Sequence, residues 1–246
     1  MPYIEGFIVA VSTANREEYR RHAEEAFAVF EELGLGRLVE CWASDVPDGE
    51  TTSFAKAVQA TADETVVFSW FEHASREARD AFNDKMMSDP RMEAMSANMP
   101  FDGKRMVYGG FAELLDQGSP GGAYIDGFVL PVPHGNRDAY LALAHKAAAD
   151  FRKHGAHRLV EAWGDDVPDG KVTDFRRAVK AQEGENVVFS FIEWPDKATR
   201  DAGWGKIMAD PEHQPDHDNM PFDGKRMFWG GFEVLLDKSA SNKEPA

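Results

Sequence analysis

Three acidic side chains stand inside stretches that otherwise read as β-strand, where Glu and Asp are depleted: Glu5 in YIEGF, Glu40 in RLVECW and Glu72 in VVFSWFE. Each has an acidic counterpart later in the chain, Asp126 in YIDGF, Glu161 in RLVEAW and Glu193 in VVFSFIE. Glu40 and Trp42 are two residues apart, as are Glu161 and Trp163, so within a strand each carboxyl and its indole share a face. If that face lines a space shared by two sheets, removal from water raises the carboxyl pKa and makes it a general base toward an acidic C–H or O–H. The indole then stacks on a planar substrate. Glu40 and Glu161 are therefore the candidate catalytic residues and Trp42 and Trp163 the stacking walls. Glu5, Asp126, Glu72 and Glu193 are further candidate ligand contacts. The competing reading pairs these acids with Arg37, Lys104 or Arg105 at strand ends, or leaves them facing water along an edge.

A second repeated polar cluster is Asp102-Gly103-Lys104-Arg105, matched by Asp223-Gly224-Lys225-Arg226. Adjacent cations at a strand start suit a carboxylate or enolate oxygen, and Arg105 and Arg226 supply a planar fork for that role as ligand anchors. The same residues also make an ordinary Asp-Gly turn followed by cations that hold a sheet together. The histidines give no symmetric site, because His22 corresponds to Leu143 and His73 to Trp194. His213 and His217 have a metal-like i, i+4 spacing, but Pro215 between them disturbs the helix that makes the spacing useful. A surface loop is the expectation there, and no metal is expected. Asp45, Asp48, Asp166 and Asp169 read as turn residues, and Tyr108 and Trp229 as core or interface aromatics. The sequence has no Gly-rich phosphate loop and no Gly-x-Ser-x-Gly elbow, so no cofactor is expected. Cys41 is the sole cysteine, which excludes an internal disulfide.

These residues are positioned by a duplicated chain. Residues 3–116 align with 124–237 without a gap, at an offset of 124 − 3 = 121, and NMPFDGKRM at Asn98 returns letter for letter at Asn219. The period is too long for a solenoid unit, so each copy is domain-sized and the pair is expected to sit like a fused dimer. The expected domains are 1–116 and 123–237, joined by the linker 117–122 (QGSPGG), with a disordered tail at 238–246. The net charge of −16 over 246 residues works against nucleic acid and anionic lipid as partners. No stretch reads as a signal peptide or a membrane span, and a cytoplasmic protein is expected.

Within the first copy, 3–11 reads as a strand. A helix follows with Tyr19, Ala23, Ala26, Phe30 and Leu33 on one stripe, Thr13 or Asn15 to cap it and Gly34 to end it. Residues 37–44 form a strand, 52–62 hold a short helix at most, and 66–72 form a strand. Ser75 caps a second helix through residue 87, which Asp89-Pro90 ends or kinks, and 105–115 is the last strand. The order β-α-β-β-α-β gives an α+β fold, a ferredoxin-like repeat with a four-stranded antiparallel sheet and both helices on one face. Phe7, Val9, Val67, Phe68, Trp70 and Phe71 make both sheet faces apolar. The two bare faces are therefore expected to pack together as an intramolecular pseudo-dimer with a shared interior, while free sheet edges leave higher oligomers open.

The YIEGF, VECW, DVPDG, VVFSW and MPFDGKRM segments resemble the YbaA-like family of bacterial proteins, of the dimeric α/β-barrel (ferredoxin-like) superfamily. The resemblance covers both copies, and the chain departs from the usual single-domain form by holding two. The resemblance implies a barrel-type pairing of the repeats. The family brings no established activity, and the wider superfamily spans cofactor-free monooxygenases, haem-degrading enzymes, lactone isomerases and non-enzymatic stress proteins. Two function readings remain. One is a small planar, anionic or neutral, molecule bound between the sheets, with proton-transfer or cofactor-free oxygenase chemistry. The other is a non-catalytic structural or stress-associated protein with a filled interior. Trp70 against Phe191 and Phe71 against Ile192 mark a divergence that leaves one competent half as an option.

Overall fold

The computed structural model describes residues 1–210 and 219–241. In the first repeat, β1 is Tyr3–Ser12, α1 Arg16–Leu33, β2 Arg37–Asp45 and α2 the single turn Phe54–Ala57. β3 is Glu64–His73, α3 Arg76–Ser88, α4 Pro90–Ala97 and β4 Val107–Gly118. The second repeat supplies β5 Tyr124–Pro133, α5 Arg137–Lys153, β6 Arg158–Asp166 and α6 Phe175–Ala178. It continues with β7 Glu185–Trp194, α7 Lys197–Ala209 and β8 Phe228–Ser239. Gly34 ends α1 in the left-handed region at φ 111°, where an L side chain is strained, and its amide donates to the carbonyls of Phe30 and Glu31. Asn15 holds the N-cap position of α1 but makes no side-chain cap bond, against expectation. The Asp89-Pro90 pair does more than end α3. Asp89 accepts from the Arg91 amide and Pro90, which needs no donor at a first helical position, opens α4.

The first repeat has the strand order β4-β1-β3-β2 and the second β8-β5-β7-β6, all antiparallel. The repeats do turn their helix-free faces toward each other, but the expected free edges are absent. β2 pairs with β8, with Val39 opposite Asp237, and β4 pairs with β6, with Asp116 opposite Val160. The result is one closed barrel in the order β1-β3-β2-β8-β5-β7-β6-β4. Closure satisfies the backbone groups that two separate sheets would leave bare, and register shifts in both junctions allow the bend. It also removes the free sheet edges that had left higher oligomers open. β4 extends through residues 117–118 of the expected linker, and β8 carries 238–239 of the expected tail; 242–246 lie outside the described residues.

The barrel interior is filled by the chain itself, which corrects the expectation of a ligand chamber between the sheets. Ile4, Ile8, Val39, Cys41, Phe68 and Trp70 point inward with their counterparts from the second repeat. Phe68 stacks on Phe189 with ring centroids 4.6 Å apart, and Trp70 on Phe191 at 4.0 Å. The glycine of the repeated YIEGF and YIDGF motifs makes room for this stack. A Cβ on Gly6 would stand 2.7 Å from the Phe189 ring, and one on Gly127 3.0 Å from Phe68. At one end α2 and α6 insert Phe54 and Phe175. At the other end Arg37 donates to Asp237 (2.7 Å), Glu72 (2.8 Å) and Glu193 (2.9 Å). Arg158 donates to Asp116 (2.6 Å), Glu72 (2.8 Å) and Glu193 (3.1 Å). Glu72 and Glu193 are thus committed to a plug of ion pairs that ties the repeats together. No described helix is long and apolar enough to cross a membrane.

Candidate functional site

Strand alternation decides where the remaining acids point. With Ile4 and Ile8 facing inward, Glu5, Phe7 and Val9 face the helices, and with Val39 and Cys41 inward, Leu38, Glu40 and Trp42 do the same. Glu40 and Glu161 therefore lie under the helix layer and not between the sheets. Glu40 is 7% exposed and accepts a hydrogen bond from the Tyr19 hydroxyl of α1 at 2.7 Å, with Ser69, its neighbour across β3, as a second hydroxyl partner. Burial pushes its carboxyl from the ordinary 4.5 up to about 7, against the opposing pull of the two hydroxyls. The second repeat reproduces the set: Tyr140 donates to Glu161 at 2.6 Å, Ser190 stands beside it, and burial again raises the carboxyl to about 7.

Glu40 forms part of the wall of a cavity of about 470 Å³ between the outer face of the first sheet and α1, α3 and α4. The floor is Phe7, Leu38, Ser69 and Phe71; α1 contributes Tyr19, His22 and Phe30; Met86, Met92, Met95, Met99 and Met106 supply flexible thioethers. Glu5 lies at another point of the same floor, where Asn83 of α3 donates to it at 3.4 Å and the His73 ring nitrogen stands 3.5 Å away without hydrogen-bond geometry. In the second repeat the corresponding cavity is about 130 Å³ and is lined by Glu161, Tyr140, Phe151 and Trp204 among others. Asp126, the counterpart of Glu5, is fully buried outside that cavity's lining and accepts from Trp194 (2.9 Å), Trp204 (2.7 Å) and Arg200 (2.8 Å).

The other expected site residues lie elsewhere. Trp42 packs with Val9, Tyr19 and Val67 beneath the Arg16 guanidinium, off the cavity, and Trp163 sits beneath Arg137 in the same way. Arg105 is held by Glu64 at 2.6 Å and by Asp102, and Arg226 by Glu185 and Asp223, so both forks are occupied. Asp45 and Asp166 are more than turn residues, since they pair with Arg200 and Arg79 of the opposite repeat. Tyr108 and Trp229, expected as core or interface aromatics, are not in the core, being 45% and 38% exposed, and Tyr108 stands at the cavity rim. Sequence reasoning passed over Tyr19, Ser69 and Asn83; the signal available was that Tyr and Ser recur in both copies within reach of a recurring Glu. Among the described residues no three His, Cys, Asp or Glu side chains converge on a metal-sized site, and His213 and His217 lie outside the described residues.

The model of a family described as "Protein of unknown function (DUF1428)" matches residues 2–103 and again 123–224. "Uncharacterized protein YbaA" of Escherichia coli (strain K12) is 56% identical over 117 residues, which is 48% of this chain and 100% of that protein. Among solved structures, a "Putative monooxygenase" from Fusobacterium nucleatum matches with a TM-score of 0.58 at 11% identity, covering 97% of this chain and 94% of that one. An "anthrone oxidase-like protein" matches with a TM-score of 0.50 at 12% identity over 100% and 96% of the two chains. At these identities the structural likeness is one of fold.

Proposed function

The chain belongs to the DUF1428 family, a tandem duplication of a YbaA-like unit, and from that premise we propose that its first repeat binds a small, largely apolar, planar molecule under α1, α3 and α4 and that Glu40 takes a proton from it. The observation that carries this reading is a buried carboxyl, raised to about 7, on the wall of an apolar cavity of about 470 Å³. That volume is of the order that encloses small ligands, and a base whose pKa lies near the working pH is at its most effective in proton transfer. The partners of Glu40 are hydroxyls, Tyr19 and Ser69, which leave its charge uncancelled when it ionises. Glu161 has the same chemistry but less room, so the reading assigns turnover to the first repeat.

Removal of a proton from a carbon acid leaves a carbanion, the species that reacts with dioxygen without a bound metal or flavin. For a CH2 group between two aryl rings, the carbon loses two hydrogens and gains a carbonyl oxygen, while the second oxygen atom and both hydrogens leave as water. The names of the two structural neighbours, a monooxygenase and an anthrone oxidase-like protein, support testing this class first. The closed, ring-filled barrel interior is read as scaffold.

The test is the exchange of the acidic C–H of anthrone for deuterium, followed by NMR. The wild-type protein should accelerate exchange with a rate that rises through pH 7, and Glu40→Gln should lower the protein-dependent rate by about 100-fold or more. An unchanged rate in the variant rejects Glu40 as the base.

A further inference from the structure

The two repeats place different residues over the same sheet acid, and the difference indicates what belongs in the larger cavity. Asn83 and Trp204 hold the same position on α3 and α7, and Glu5 and Asp126 the same position on β1 and β5. In the second repeat both indoles, Trp194 and Trp204, donate to one oxygen of Asp126, and the Trp204 ring packs edge-on against Phe151 at 4.9 Å. In the first repeat His73 and Asn83 replace them: Asn83 donates to Glu5 at 3.4 Å, longer than the 2.7 Å of the Trp204 bond, and the His73 ring makes no hydrogen bond at all. Both ring nitrogens of His73, which is 3% exposed, and the Oδ1 of Asn83 are buried without a hydrogen-bond partner.

One of these exchanges is compensated in volume and the other is not. Where His73 is smaller than Trp194, Phe82 stands in place of Gly203; a Cβ on Gly203 would lie 2.8 Å from the Trp194 ring, so the Phe82 ring occupies space that the indole takes in the second repeat. Among the described residues nothing comparable fills the room left by Asn83 in place of Trp204, and the cavity is the larger one there. Phe30, the counterpart of Phe151, remains as a ring surface on its wall.

We propose that the first-repeat cavity takes a flat aromatic molecule with a ring N–H or O–H donor, seated beside Phe30 with the donor on the Glu5 carboxyl, in the place that the Trp204 indole occupies in the second repeat. The proposal rests on the reading of this cavity as the ligand site and adds the chemistry of the ligand. Glu5 and Glu40 lie two strands and two residues apart, since Glu5 pairs with Phe71 and Glu40 with Ser69. Their Cα atoms are thus separated by roughly 12 Å at ordinary strand spacing. A molecule that meets both acids has two or three fused rings and two different hydrogens at opposite ends: an N–H or O–H held by Glu5, and an acidic C–H whose proton goes to Glu40.

The experiment is isothermal titration calorimetry of the full chain with indole, and with 1-methylindole as the probe that lacks the donor. The expected result is one indole per chain, and an affinity for 1-methylindole lower by about ten-fold or more, the loss of one hydrogen bond to a carboxylate. Glu5→Gln should narrow that difference. Asn83→Trp, which supplies the second-repeat residue, should abolish binding while the protein melts no earlier than wild type, and Trp204→Asn should raise the count from one site to two. Equal affinity for the two probes, binding that survives Asn83→Trp, two sites in the wild type, or no binding of indole at all each overturn the proposal. Loss of the donor preference with Glu40-dependent exchange intact refutes this inference alone, whereas indole binding as expected with exchange indifferent to Glu40→Gln refutes the base assignment alone.

Discussion

Replacing Glu40 with Gln should make the protein more stable in alkali and leave it nearly unaffected in acid. In the folded protein burial holds this carboxyl at about 7, whereas in the unfolded chain it titrates near the ordinary 4.5. Between those two values the folded state keeps a proton that the unfolded state has released, so stability falls as pH rises and the loss is complete above the folded pKa. A displacement from 4.5 to about 7, at 1.36 kcal/mol per pH unit, amounts to about 3 kcal/mol. Gln cannot ionise and keeps an oxygen to accept from Tyr19. The difference in unfolding free energy between variant and wild type should therefore grow by about 2–3 kcal/mol in favour of the variant from pH 5 to pH 9, the rest of the loss falling below pH 5. Groups held low, such as Glu64 at about 2, titrate below this window and are common to both proteins, as is Glu161. Urea unfolding at fixed ionic strength across that range is the assay. Two curves that stay parallel from pH 5 to pH 9 would mean that Glu40 is ionised at ordinary pH and that burial does not raise it.

Two further substitutions test the barrel that holds this site in place. Glu193→Gln leaves Arg37 and Arg158 with Glu72 as their one shared carboxylate beside Asp237 and Asp116, and should cost about 1.5–3 kcal/mol in urea unfolding; a loss indistinguishable from that of an exposed pair such as Lys197–Asp201 removes the plug from the account of stability. Gly6→Ala drives a methyl against the Phe189 ring and should cost about 1–3 kcal/mol, whereas Gly135→Ala, with nothing within 4 Å of its added carbon, is the control. Equal stabilities of the two alanine variants would contradict the close approach at Gly6.

The repeat, the strand order and the matched pair of acids Glu40 and Glu161 were legible because they depend on letters that recur at one spacing. The face on which Glu40 lies was not. In Phe7-Ile8-Val9 and Val67-Phe68 every position is apolar, so alternation has no polar phase to fix which residues look at helices and which at the opposite sheet. The choice is made by the barrel stack, where Gly6 faces Phe189 across repeats. The helix α4 was hidden by Asp89-Pro90, a pair that can stop a helix or start one, and at eight residues its one apolar pair, Met92 and Met95, is too short a stripe to reveal it. Arg37 was expected as one strand-end partner for these acids, but its convergence with Arg158 on two glutamates from different repeats depends on edge exchange, which no single-repeat pattern encodes.

Fusion of the repeats explains where they have diverged. Residues that bridge the halves must match: Gly6 abuts Phe189 while Gly127 abuts Phe68, and Arg37 and Arg158 share the same two glutamates, so a change on one side would demand one on the other. The helix-side residues answer mostly to their own repeat, and every residue lining the larger cavity comes from the first. There the chain exchanges Asn83 for Trp204 and His73 for Trp194, which a dimer of identical subunits could only do in both halves at once. Against that freedom, the Tyr19–Glu40–Ser69 set recurs unchanged as Tyr140–Glu161–Ser190, although its side-chain hydrogen bonds never leave one repeat. Neither barrel closure nor the ion-pair plug requires it, and a buried carboxyl raised by its surroundings works against stability at neutral pH. What such a group supplies in return is a proton acceptor near pH 7, and in the first repeat it faces space enough to use it.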